Sequence, residues 1–185
     1  MSPHLPRPGQ GASAHRRAQI LRVDHAGELG AVHIYRGQRA VFDAIPSKAV
    51  ISGQLAEMQS HEARHLQRFD ALLTQGGVRP TLLAPLWRIA GFALGAGTAL
   101  MGEKAAHACT AAVETVIEQH YAGQIAELSE REPALAAELS VFRDEELAHR
   151  DEALAHGARE AVGYPILAAV IRAGCRAAIS LSERL

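Results

Sequence analysis

The stretch "VFRDEELAHRD", residues 141–151, decides how the whole chain is read. Its Glu146 and His149 stand three apart, a spacing that a helix turns into neighbours on one face. Taken by threes and fours around this pair, the sequence reads Leu135, Leu139, Phe142, Glu146, His149, Ala153. That series is the apolar seam of a bundle helix with an acid and an imidazole set into it. A second stretch repeats the pattern. Ile51, Leu55, Met58, Glu62, His65, Phe69 and Leu72 form a seam in which "EARH" takes the register that "ELAH" takes in the other. A lone Glu-x-x-His says little, because both residue types are common on solvated helix faces. Two of them at matching seam positions say much more.

The rest of the chain supports an all-α protein. It has 185 residues, enough for one good core, with 48% hydrophobic residues, abundant alanine and apolar spacing in threes and fours. Nineteen Lys+Arg balance twenty Asp+Glu, and aromatics make up only 4%, so no nucleic-acid partner held by bulk charge or base stacking is expected. Cys109 and Cys175 share no CxxC spacing and read as ordinary buried thiols in a reducing, cytoplasmic setting. Residues 1–19, rich in proline, glycine and basic residues and without an acid, read as a disordered N-terminal tail. Residues 20–185 form the folded domain.

Four long helical patterns are expected at about 20–42, 47–73, 103–128 and 133–159, punctuated by "AIPSK", "TQGGVRP", "REP" and "VGYP". The first offers one seam glutamate, Glu28, among Leu21, Val32, Tyr35 and Phe42; the third offers Glu114, among Thr110, Ile117, Tyr121 and Leu128. Glu62 follows Glu28 by 34 residues and Glu146 follows Glu114 by 32, so the chain reads as two pseudo-equivalent helix pairs joined by a long crossover. Two further apolar segments, 81–102 and 164–185, are extra helices that pack on the bundle or lie on a membrane surface. The uncharged run Ile89–Gly102 has 14 residues, and Arg172 and Arg176 interrupt the second segment. Neither reaches the roughly 20 apolar residues of a spanning helix.

Four carboxylates and two imidazoles at one level of a core cannot stay bare. Desolvating one unpaired carboxylate costs several kcal/mol, and four close together repel. Two divalent cations resolve both problems, with Glu28, Glu62 and His65 on one, Glu114, Glu146 and His149 on the other, and Glu62 and Glu146 placed to bridge. Oxygen-rich ligation with one histidine per metal and no thiolate suits iron or manganese. One Glu from each of two helices and Glu-x-x-His from the other two is the ferritin-like carboxylate-bridged pattern, here a four-helix bundle with a long crossover and two extra apolar helices.

The strings "ILRVDHAGELGAVHIYRGQ" at 20–38, "GAGTALMGEKAAHACTAAVETVIEQHY" at 95–121 and "FRDEELAHRDEAL" at 142–154 closely resemble the demethoxyubiquinone hydroxylase family of ubiquinone biosynthesis. The resemblance implies a membrane-bound diiron monooxygenase that hydroxylates the ring of a polyprenylated methoxy-methyl-benzoquinol with O2. It implies the same six ligands on two Fe ions, and it assigns His120 and Tyr121 to electron delivery. NADH or the quinol itself is the expected electron donor, although the sequence has no Gly-rich nucleotide fingerprint. A polyprenyl substrate implies a peripheral protein on the cytoplasmic face of a bacterial inner membrane, in preference to a mitochondrial one, with residues 81–102 as docking element. A homodimer contact or other ubiquinone-biosynthesis proteins are the remaining partner expectations. The competing reading is a ferritin-like iron-oxidising storage protein, which would assemble into a soluble shell without long apolar surface helices.

Overall fold

The structure is a computed structural model that describes residues 10–185. Among the described residues there are six α-helices and no strand: α1 (Gln10–Phe42), α2 (Ala49–Gly76), α3 (Ala84–Leu100), α4 (Glu103–Leu128), α5 (Pro133–Ala155) and α6 (Tyr164–Ser182). Proline opens three of them, in the first turn where its missing N–H has no intrahelical partner to lose. Glycine closes two. Gly77, at φ +61°, caps α2, and Gly157, at φ +85°, follows α5.

The core clusters define the topology. Ile20 and Leu21 near the start of α1 pack with Phe69 and Leu72 at the end of α2, with Tyr121 and Leu128 late in α4, and with Leu135 and Leu139 early in α5. At the opposite end, Tyr35 and Phe42 of α1 meet Ile51, Leu55 and Met58 of α2 and Ala106 of α4. So α1 and α5 run one way, and α2 and α4 the other. Two consecutive bundle helices with the same direction need a crossover, and α3 provides it by running back along α1.

That return path is tight. A Cβ on Gly95 would lie 1.9 Å from the Ile34 carbonyl oxygen, and one on Gly37 would lie 2.2 Å from that of Phe92. Only glycine lets these two backbones approach so closely. On the other side α6 lies along α4, burying Ala168 and Ile171 against Cys109, Ala112 and Val113. The outer helices meet where Trp87 Nε1 donates to Ser182 Oγ at 2.9 Å and Arg79 Nη1 to the Leu185 carbonyl at 2.8 Å.

Two boundaries and one membrane expectation differ from the sequence reading. Residues 1–9 of the expected tail lie outside the described residues, while 10–19 belong to α1, where Arg16 pairs with Glu127 and Glu183 and Arg17 with Glu132. The fourth pattern ends at Ala155, not at Arg159, because Gly157 takes a left-handed backbone and a short 3-10 turn follows at Ala158–Glu160. Finally, α6 is by length and composition sufficient to cross a membrane. It nevertheless lies along the bundle, held at its far end by Trp87 and Arg79.

Candidate metal centre

Each core helix contributes to one buried cluster: Glu28 from α1, Glu62 and His65 from α2, Glu114 from α4, Glu146 and His149 from α5. All six expected ligands are brought together, and none is more than 4% exposed. Their ligand atoms fall into two groups, each within 4.8 Å: Glu28, Glu62, His65 and Glu146 in one, Glu62, Glu114, Glu146 and His149 in the other. Glu62 and Glu146 belong to both. His65 Nδ1 is 3.4 Å from Glu28 Oε2 and 3.2 Å from Glu146 Oε1; His149 Nδ1 is 3.1 Å from Glu62 Oε1 and 3.4 Å from Glu146 Oε2. Glu146 therefore turns one oxygen to each histidine, the geometry of a bridge.

Around this cluster a second set of contacts crosses between the halves. Tyr35 of α1 donates to Glu114 Oε1 at 2.7 Å, and Tyr121 of α4 donates to Glu28 Oε1. Each tyrosine stands seven residues after its own half's glutamate, two turns on, so the repeat extends beyond the ligands. His61 Nδ1 is 3.0 Å from His149 Nε2, and Glu145 Oε2 is 2.7 Å from His65 Nε2. Spacing along one helix could not show these partners. His120 does not reach the cluster: its side chain is 20% exposed, with Nε2 2.9 Å from Gln124 Nε2 and 3.5 Å from the buried Asp24 Oδ1. Glu118 is half-buried and belongs to neither group.

The electrostatics describe a site with too much negative charge. Burial, then the charge of Glu146 and its neighbours, pushes Glu62 and Glu114 well above the usual carboxylate range. Burial opposes a charge on His65, yet the carboxylates of Glu146 and Glu28 facing its Nδ1 prevail and push it up to about 11. Without a cation the cluster must take up protons. Eight of its atoms, namely Glu28 Oε2, Glu114 Oε2, both oxygens of Glu62 and of Glu146, and Nδ1 of both histidines, lack a hydrogen-bond partner. Unpartnered buried polar atoms converging in this way fit metal ions, and the oxygen-rich set fits iron or manganese. Neither cysteine belongs to the site.

An apolar cavity of about 410 Å³ lies between α1, α3, α4 and α6. Gly27, Gly30 and Val113, neighbours of Glu28 and Glu114 in sequence, line one wall; Trp87, Leu94 and Ile171 line others. Nothing lies within 4 Å of where a Cβ on Gly27 or Gly30 would sit, so these glycines leave the wall open. The sequence reading placed the apolar binding element in residues 81–102 alone; the cavity draws on four helices.

By fold and site this is a ferritin-like helical bundle whose core offers two overlapping carboxylate-histidine groups to metal ions. The chain belongs to the family described as ubiquinone biosynthesis protein COQ7, whose model matches residues 15–182. It is 49% identical over 178 residues to the 3-demethoxyubiquinol 3-hydroxylase of Rhodospirillum rubrum, covering 96% of this chain and 82% of that protein. The mitochondrial NADPH-dependent 3-demethoxyubiquinone 3-hydroxylase of Homo sapiens is 49% identical over 171 residues, covering 90% and 77%. The mitochondrial 5-demethoxyubiquinone hydroxylase of Saccharomyces cerevisiae is 40% identical over 182 residues, again covering 90% and 77%.

Proposed function

We propose that this chain is an O2-dependent monooxygenase that hydroxylates the ring of demethoxyubiquinol, a polyprenylated methoxy-methyl-benzoquinol, in ubiquinone biosynthesis. The observation that carries the reading is the apolar cavity set against α1 and α4, the helices that bear Glu28 and Glu114. A greasy ring and the first part of its tail can lie there, between the helices that carry Glu28 and Glu114, and the relatives' names supply the substrate class.

Two iron ions, held by the six residues with Glu62 and Glu146 shared, would supply the dioxygen chemistry. The overall reaction consumes O2, two electrons and two protons; one oxygen atom enters the ring and the other leaves as water. The chain's own residues orient and insulate. Burial first, and the adjacent carboxylates next, push the Tyr35 and Tyr121 phenols well above their usual range. Both therefore remain donors and fix one oxygen of Glu114 and of Glu28, leaving the other oxygen for metal. His120, part-exposed, and Tyr121, bonded to Glu28, are the proposed route for electrons. The human relative is named NADPH-dependent, which makes a nicotinamide the favoured class of reductant, with the quinol itself as the other source.

The membrane placement is part of the same proposal. Leu86 and Ile89 on α3 and Ile166 and Val170 on α6 are at least half exposed, and these two helices also wall the cavity. We assign this layer to the cytoplasmic surface of a bacterial inner membrane, from which the polyprenyl tail would enter.

The test is anaerobic loading with ferrous iron, then labelled dioxygen and a demethoxyubiquinol analogue, with the product weighed by mass spectrometry. One labelled oxygen in the ring, lost in Glu114→Ala and Glu146→Ala, supports the hydroxylase. Iron oxidation with mineral growth and no labelled quinol replaces it with the storage reading.

A further inference from the structure

The two halves of the cluster differ in what receives the outer nitrogen of each histidine. His65 and His149 both turn Nδ1 inward, so each presents Nε2 to the outside. The residue that receives Nε2 stands immediately before the other half's Glu-x-x-His. For His65 it is Glu145, at 2.7 Å; for His149 it is His61, at 3.0 Å, with the two rings stacked at 5.2 Å and 29°. The tyrosine contacts, by contrast, are the same in both halves: Tyr35 on Glu114 and Tyr121 on Glu28.

An imidazole N–H donated to a carboxylate gives the ring more anionic character and makes its other nitrogen a stronger donor to metal. His61 accepts at Nδ1, and an imidazole that accepts is neutral, so it does this much less for His149. We infer that Glu145 and His61 are positioning residues that make the two metal positions inequivalent, with the His65 position the tighter. The inference rests on the two-metal reading above. Phe142, stacked on the His65 ring at 4.2 Å, holds that ring in the plane the Glu145 contact needs.

Partners of this kind alter metal affinity by about 10- to 100-fold. The test is an anaerobic titration of the metal-free full chain with ⁵⁷Fe(II), read by Mössbauer spectroscopy. Wild type is expected to show two quadrupole doublets, with one filled at least about tenfold in preference at one equivalent. Glu145→Gln, which keeps an acceptor but removes the charge, should fill both together, and Glu145→Asp should restore the order. His61→Glu, which places a carboxylate on both sides, should bring the doublets toward one. Parallel filling in wild type, or an unchanged order in Glu145→Gln, overturns the inequivalence and leaves the two-metal site standing. Uptake of fewer than two equivalents by wild type overturns the two-metal reading itself.

Discussion

At the scale of single residues, Glu114 shows how the site sets chemistry against stability. Its carboxyl is buried, bonded by Tyr35 and repelled by Glu146, so the metal-free fold holds it in a state it would not choose in water. Glu114→Gln keeps the shape and the Tyr35 contact while removing the charge. Metal-free Glu114→Gln should melt higher than wild type by about 2–8 °C, a gain of roughly 1–3 kcal/mol spread over a domain of this size. Ferrous iron should then stabilise wild type more than the variant, which scanning calorimetry under nitrogen would read. His107 gives a second, independent prediction away from the cluster. Burial, with the stacked His156 adding to it, lowers its pKa to about 4. An unfolded histidine binds its proton near 6.5, so between pH 6.5 and about 4 the unfolded state holds more protons and stability falls as pH falls. Melting temperature should therefore drop less steeply across that window in His107→Phe than in wild type. Equal slopes would remove His107 from the account.

Among the elements, the contact of α3 with α1 decides whether the cavity exists at all. Gly95→Ala sets a methyl against a backbone carbonyl that cannot move aside, and should cost about 1–3 kcal/mol in a denaturant melt. Gly97→Ala, on the same helix with open space at its Cβ, should instead stabilise by about 0.5–1 kcal/mol through helix propensity. Similar losses for both would mean that the helices do not meet where the glycines say. Much at this scale was legible before the structure. The Gly-Gly that ends α2 and the prolines opening α5 and α6 are local signals, and local signals survive in a sequence. The start of α1 was not legible, because what places residues 10–19 on the bundle includes ion pairs of Arg16 and Arg17 with residues more than 100 positions away. The same limit hid Tyr35, His61 and Glu145: spacing reports which side chains share a helix face, and these three act across to another helix. The six clustered residues were legible because they interrupt apolar seams, and an interruption shows in one dimension.

For the whole molecule, the proposed membrane role rests on the outer layer of α3 and α6. The bundle would close on itself with four helices; the outer two add the cavity and an exposed apolar face that includes Ile89 and Ile166, at 70% and 74% exposure. On the proposed membrane placement, Arg172 and Arg176 on α6 would snorkel their heads to water while the apolar side chains insert. Burying one isoleucine in hydrocarbon contributes about 1.5–3 kcal/mol, and each 1.4 kcal/mol is tenfold in partitioning. Ile89→Glu with Ile166→Glu should therefore reduce co-sedimentation with phospholipid vesicles by at least about tenfold. Neither residue lines the cavity or touches the metal groups, so turnover of a short-tailed quinol in detergent should be unchanged while turnover of the long-tailed substrate in vesicles falls with binding. Unchanged vesicle binding by the double variant would mean that this face is covered by protein, and the tail would then need another way in.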